Sequence, residues 1–171
     1  MTRSQSPEWS ATLYSEAETV RLGSLLAEIL QPGDVLGLVG DLGAGKTRLV
    51  RAMAEALDVS ADEVHSPTFG LIHEYRGRKH LRHCDVYRLR SPAEFVDLGL
   101  DELFTSDAIT IIEWSNLVEN ELPRRRLQIT LQPVSEHSRA LTATANGPRA
   151  IRTLEQLSRR WAETQPPDAA S

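Results

Sequence analysis

One cysteine, Cys84, stands among 171 residues, so no disulfide can form within the chain. No apolar run approaches the roughly 20 residues that a membrane-crossing helix needs. The opening stretch, Met1-Thr2-Arg3-Ser4-Gln5-Ser6-Pro7-Glu8, lacks the apolar core of a secretory signal. Together these absences lead us to expect a cytoplasmic protein with no membrane association. There is no internal repeat. No Asn-Lys-x-Asp segment of the guanine-reading kind occurs, which argues against a GTPase. An excess of positive charge is also missing: the formal net charge is −5, so the surface as a whole is not built to hold nucleic acid. Two basic clusters, Arg124-Arg125-Arg126 and Arg159-Arg160, leave a local patch open and read first as solvated faces.

What is present is concentrated in one stretch. Gly40-Asp41-Leu42-Gly43-Ala44-Gly45-Lys46-Thr47 fits the P-loop pattern of Gly, four residues, then Gly-Lys-Thr. Such a loop wraps backbone N–H groups around nucleotide phosphates. Gly43 and Gly45 permit positive φ and close backbone approach. Lys46 is expected at an exposed loop–helix junction, with its ammonium against the β- and γ-phosphates. The Thr47 hydroxyl is expected to ligate Mg²⁺, and the helix starting near Lys46 aims its positive end at the same anion. The flanks agree. Val35-Leu36-Gly37-Leu38-Val39 reads as a buried parallel strand. Leu49, Val50, Met53, Ala54 and Leu57 follow at helical spacing.

The rest of the chain alternates helices and strands. Ser15-Glu16-Ala17-Glu18 has the form of a capping box and opens a helix to about Leu30, with Ala17, Val20, Leu25, Leu26 and Ile29 as its apolar set. Ser60-Ala61-Asp62-Glu63 is a second possible cap. Phe69, Leu71, His73 and Tyr75 alternate as a strand, Arg76-Gly77-Arg78-Lys79 is a turn, and residues 81–89 return as its hairpin partner. Ser91-Pro92-Ala93-Glu94 starts a further helix. Ala108-Ile109-Thr110-Ile111-Ile112 is a second buried strand, ending at Glu113-Trp114. Leu127, Ile129 and Leu131 mark another strand, which residues 141–145 can join. Ile151, Leu154, Leu157 and Trp161 line one face of a last helix. These elements predict one α/β domain over 1–163, a P-loop NTPase-like sandwich around a mixed parallel and antiparallel sheet. Residues 164–171, with Pro166-Pro167, are expected to form a disordered tail.

A P-loop site needs a carboxylate at the end of a neighbouring strand. Glu113 ends the Ile109-Thr110-Ile111-Ile112 run, where ligands sit in α/β sheets. Asp85, in His83-Cys84-Asp85-Val86-Tyr87, is the second candidate. His80, His83 and Cys84 invite a zinc reading, which strand geometry opposes: residues three apart on a strand face opposite sides of the sheet.

Four blocks now carry a resemblance: the P-loop, Ser66-Pro67-Thr68-Phe69, His83-Cys84-Asp85-Val86-Tyr87-Arg88-Leu89, and Ile112-Glu113-Trp114. In order and separation they resemble the bacterial TsaE (YjeE) family, with Gly99-Leu100-Asp101-Glu102-Leu103-Phe104 similar to a further family segment. The resemblance spans about residues 13 to 145. It implies a small Mg²⁺-dependent ATPase needed for threonylcarbamoyladenosine formation in tRNA, working with TsaD and TsaB, with TsaC supplying the threonylcarbamoyl-adenylate. With a net charge of −5, the chain is expected to reach tRNA only indirectly, through that complex. Residue by residue, the resemblance implies that Asp41, Leu42, Gly43, Ala44, Gly45, Lys46, Thr47 and Arg48 surround the nucleotide, with Thr68 in a switch-like segment and Trp114 as an aromatic beside the nucleotide. Lys46, Asp85 and Glu113 are then the catalytic set, and Thr47 and Glu113 the Mg²⁺ set. Arg48 stands where many members carry a second Thr, which removes a hydroxyl from that position. Beyond Ala145 no family motif appears.

Three activities fit these residues. The first is an ATPase whose turnover serves a partner complex, with Asp85 or Glu113 orienting the attacking water. The second is a small-molecule P-loop kinase, for which Arg124-Arg125-Arg126 is the only lid-like run. The third is a nucleotide-dependent binding module whose hydrolysis is incidental.

Overall fold

The computed structural model describes residues 5–65 and 72–165. Its centre is a seven-stranded sheet, β1 (Glu8–Leu13), β2 (Val35–Val39), β3 (Ile72–Arg76), β4 (His80–Asp85), β5 (Ile109–Glu113), β6 (Arg126–Pro133) and β7 (Arg139–Asn146), in spatial order β1-β7-β6-β2-β5-β4-β3. The central strands β4, β5, β2 and β6 run parallel. Antiparallel partners close both flanks, β3 on one side and the β7–β1 pair on the other. The chain therefore has the mixed sheet its sequence predicts, with apolar runs in β2 and β5 and alternating strands in β6 and β7.

Both faces are covered. Helices α1 (Glu16–Ile29), α2 (Lys46–Ala56) and α4 (Pro148–Glu163) build the larger core with Leu36, Leu38, Leu81, Ile109 and Ile111. On the other face, the short helix α3 (Pro92–Asp97) and two 3₁₀ segments, Leu100–Leu103 and Ser115–Glu121, enclose Cys84, Val86, Phe95, Ile112 and Val118. Ile111 and Ile112 thus point to opposite faces, as successive strand residues must. Among the described residues no helix is long and apolar enough to cross a membrane.

Several local expectations shift in the structure. Ser15 does cap α1, accepting from the Glu18 N–H at 3.3 Å, while the Glu18 carboxylate reaches back to the Tyr14 N–H. Ala17 and Val20, however, lie on the exposed face of α1, and Leu22 and Gly23 take the inner one. The reason is packing on α2: a Cβ on Gly23 would sit 2.5 Å from the Ala52 Cβ, so this glycine is where the two helices touch. Strand β4 stops at Asp85 rather than continuing to Leu89, because Asp85 Oδ1 accepts the Tyr87 N–H at 2.9 Å and turns the chain. Strand β1 went unforeseen; its signal is the inward alternation of Trp9, Ala11 and Leu13. The early part of the expected Phe69–Tyr75 strand and most of the expected tail lie outside the described residues.

Candidate functional site

The loop after β2 carries two left-handed glycines, Gly43 at φ 80° and Gly45 at φ 104°. Neither has an atom within 4 Å of where a Cβ would stand, so backbone angle rather than crowding selects glycine at both. Gly45 is the N-cap of α2 and no side chain caps that helix, so its first N–H groups face the loop opening. Asp41, Leu42 and Gly43 are exposed along the rim, and Ala44 is buried beneath them. Arg139, at the start of β7, braces the loop from behind. Its guanidinium donates to the Ala44 carbonyl at 3.2 Å and the Gly43 carbonyl at 3.4 Å.

Lys46 is not exposed, as expected from sequence, but 5% accessible. Its ammonium donates to the carbonyls of Gly40 and Asp41 and lies 4.2 Å from the centroid of the Trp114 ring. Burial holds its pKa below the ordinary lysine value, against the pull of the Glu113, Asp85 and Asp41 carboxylates. Arg48 turns its side chain away to Glu16 at 2.6 Å. What remains at that position for a nucleotide is the backbone of the first helical turn.

The two acids reach the loop from neighbouring strands. Asp85 and Glu113 are register partners at the carboxyl ends of β4 and β5, and Glu113 is beside Leu38 of β2, two residues before the loop. They share the face of Leu81 and Ile111, toward α2. Glu113 is 2% accessible, and its Oε1 accepts from Thr47 Oγ1 at 2.8 Å and from His83 Nε2 at 2.7 Å. Asp85 is only half-buried, with Oδ1 on the Tyr87 N–H. Burial raises its pKa and Glu113 reinforces the rise, while the Tyr87 N–H, His83 and Lys46 oppose it. Asp85 and Glu113 are therefore both at the loop, in different settings.

Trp114 takes φ 61°, a conformation rare for a bulky residue, at the point where β5 ends. The bend lays its indole against Tyr87, with centroids 4.6 Å apart, and over Lys46. Together with Gly40, Asp41 and Asn116 it lines a cavity of about 390 Å³ beside the loop. Such strain at a site edge is commonly held in place for function. Thr68 and the whole Ser66-Pro67-Thr68-Phe69 block lie outside the described residues.

The lid-like run falls elsewhere. Arg126 begins β6, four residues before Thr130, the partner of Val39 at the loop. That places it about 13 Å along the strand, toward the opposite end of the sheet. Its guanidinium is bonded to the Pro123 carbonyl and to Gln128. Arg160, of the second basic cluster, pairs with Glu28 on α1. The histidines also separate, as strand parity requires: His80 faces Glu74, and His83 faces Glu113.

The donors present suit Mg²⁺. A hydroxyl and a carboxylate stand 2.8 Å apart next to an uncapped helix start. Hard oxygen ligands from one or two side chains, completed by phosphate and water, are what this ion takes in nucleotide sites.

Comparison with known proteins then locates the chain among its relatives. A family model described as "Threonylcarbamoyl adenosine biosynthesis protein TsaE" matches residues 13–141. A protein of Bacillus subtilis (strain 168) named "tRNA threonylcarbamoyladenosine biosynthesis protein TsaE" is 45% identical over 143 residues, covering 83% of this chain and 89% of that protein. A protein of the same name from Treponema pallidum (strain Nichols) is 38% identical, covering 75% and 94%. The crystal structure of Bacillus subtilis YdiB superposes with a TM-score of 0.76 at 37% identity, covering 91% of this chain and 97% of that one.

Proposed function

This chain belongs to the TsaE family, and from that premise we propose that it hydrolyses ATP to ADP and phosphate with Mg²⁺, in the service of a TsaD–TsaB complex. It acts in tRNA threonylcarbamoyladenosine biosynthesis, the role its relatives are named for. The observation that carries the ATPase reading is the 2.8 Å hydrogen bond from Thr47 to Glu113, which joins the phosphate loop to a carboxylate 66 residues away.

The residues divide the work. The loop N–H groups and the start of α2 hold the β- and γ-phosphates, and Lys46 adds a positive charge that the site has already desolvated. Thr47 donates its hydrogen to Glu113, so its hydroxyl oxygen would be the atom that ligates Mg²⁺. Mg²⁺ held by the Thr47 hydroxyl, with the Glu113 carboxylate beside it, would supply positive charge against the phosphate oxygens. Glu113 Oε1 is already committed to two donors, so orienting the attacking water falls to Asp85, half-exposed and strand-adjacent. The water attacks the γ-phosphorus, the bond to the β,γ-bridging oxygen breaks, and ADP leaves. Trp114 supplies an aromatic wall beside the nucleotide. Contact with tRNA goes through the partner proteins, consistent with the net charge of −5, and the setting is the cytoplasm.

The test is reconstitution of tRNA modification from purified components with and without this chain, with phosphate release measured in parallel. Modification that needs the chain and ATP, with free phosphate as product, supports the reading. A phosphorylated metabolite would instead establish the kinase. Modification that proceeds unchanged in its absence would remove the proposed role.

A further inference from the structure

Behind Glu113 a line of polar groups crosses the sheet through an apolar core. His83 is fully buried; its Nε2 donates to Glu113 Oε1, and its Nδ1 lies 3.2 Å from the Tyr75 hydroxyl. That hydroxyl also lies 3.3 Å from His73 Nδ1 on the edge strand β3. Tyr75 is 3% accessible and packs in the same core as Leu81, Ile109 and Ile111. Its pKa is pushed up to about 12 by burial and then by the Glu113 charge, so the phenol keeps its proton and remains a donor.

Polar groups in such surroundings cost stability unless each is paired, and a leucine-rich core could have been completed without them. Here the pairing has a direction. A carboxylate only accepts, so Thr47 Oγ1–H and His83 Nε2–H both donate to the one oxygen, Oε1. The imidazole is held in turn by Tyr75 from the adjacent hairpin strand. The line thus ends on the carboxylate that sets the Thr47 hydroxyl.

We propose that His83 and Tyr75 are positioning residues for the metal site. From the far side of β5 they lock the Glu113 carboxylate so that Thr47 gives its hydrogen inward and its lone pairs to the ion. They touch neither nucleotide nor metal and act only through Glu113. This inference rests on the Mg²⁺-nucleotide reading above.

The test uses the full chain and two readouts: calorimetric ADP binding with Mg²⁺ and with a chelator, and the Mg²⁺ concentration for half-maximal phosphate release. His83→Leu should lose the tightening that Mg²⁺ brings to ADP and raise the half-maximal Mg²⁺ by about 10- to 100-fold, as losing a residue behind a metal ligand does. Its ADP affinity in chelator should stay within about 2-fold, since the loop is untouched. His83→Gln, which keeps an N–H donor at the Nε2 position, should recover most of the loss. Tyr75→Phe, which keeps the ring and removes the hydroxyl, should shift Mg²⁺ dependence in the same direction by a smaller factor. It carries the test if His83→Leu does not fold. Wild-type Mg²⁺ dependence in both His83→Leu and Tyr75→Phe overturns the proposal. So does a Gln variant as impaired as Leu, since packing alone would then explain the loss. A wild-type chain showing no Mg²⁺-dependent nucleotide binding sinks the ATPase reading itself, before any variant is compared, and the inference with it.

Discussion

The two arms of the candidate site are built in opposite ways. The phosphate arm, residues 40–47, is local: eight consecutive residues whose chemistry is mostly backbone, held by glycine angles and a helix start. The acid arm is assembled. Asp85, Glu113, His83 and Tyr75 come from three neighbouring strands and meet only because β3, β4 and β5 stand in register. Phosphate binding needs many convergent N–H groups, which one turn can supply. Metal and water need single oxygens aimed within a fraction of an ångström, which a rigid sheet supplies better than a loop. The Thr47–Glu113 bond is the seam between the arms.

Lys46→Ala strikes the first arm and should have the largest effect, lowering ATP affinity by about 100-fold or more and removing turnover, as loss of a desolvated charge-assisted contact does. The fold should survive. Burial already disfavours the lysine charge, so a circular dichroism melt should show the variant as stable as wild type or more so. A folded variant that binds ATP normally would break the assignment of the loop.

Glu113→Gln strikes the seam from the other side. Phosphate release should fall by about 100-fold while nucleotide affinity measured by titration changes by less than about 10-fold. Equal losses in both would mean that the two arms are not separable.

Asp85→Asn should lower turnover by a smaller factor, about 10- to 100-fold, with saturating Mg²⁺. It also carries a pH signature. The folded pKa of Asp85 is raised, mainly by burial, so between the unfolded value and the folded one the folded state binds the extra proton. The contribution to stability is then fully present at low pH and lost as pH rises through the folded pKa. With a chelator present, Asp85→Asn should therefore melt higher than wild type at neutral pH, and the gap should close on acidification. A variant that melts lower at neutral pH would show that the ionised carboxylate is stabilised by contacts beyond its Tyr87 N–H.

Arg139→Ala tests whether the local arm is wholly local. Its two bonds to loop carbonyls are long, so ATP affinity should fall by only about 2- to 10-fold, the range of one or two ordinary hydrogen bonds. No change at all would leave the loop self-supporting.

How far the site could be read in advance follows the same division. The loop, its strand and its helix were legible because motif and periodicity lie within one window: Leu49, Val50, Met53, Ala54 and Leu57 are all buried as their spacing predicts. The burial of Lys46 was not legible, since it depends on Trp114 folding over the ammonium at a strained φ. Glu113 and Asp85 could be suggested as strand ends. Their unequal settings could not, because those depend on His83 and Tyr75. Tyr75 reads as an ordinary strand residue, and His83, though part of the family block, carries no sign in the sequence that it meets Glu113. The bracing by Arg139 carried no signal, as its partners in the loop are carbonyl oxygens 95 and 96 residues away. Arg124-Arg125-Arg126 reads first as a solvated face and serves as a lid only under the kinase alternative; the direction of β6 puts it toward the other end of the sheet.

By itself, then, the sequence determined the glycine-rich loop with its flanking strand and helix, the mixed α/β class and the family, since each is written in short-range patterns of residue type. The tertiary structure alone decided which carboxylate is locked and which is left half-open, what holds the locked one, and where the charges point. Strand order and register are settled by the packing of the whole sheet, and no stretch of a few residues contains them.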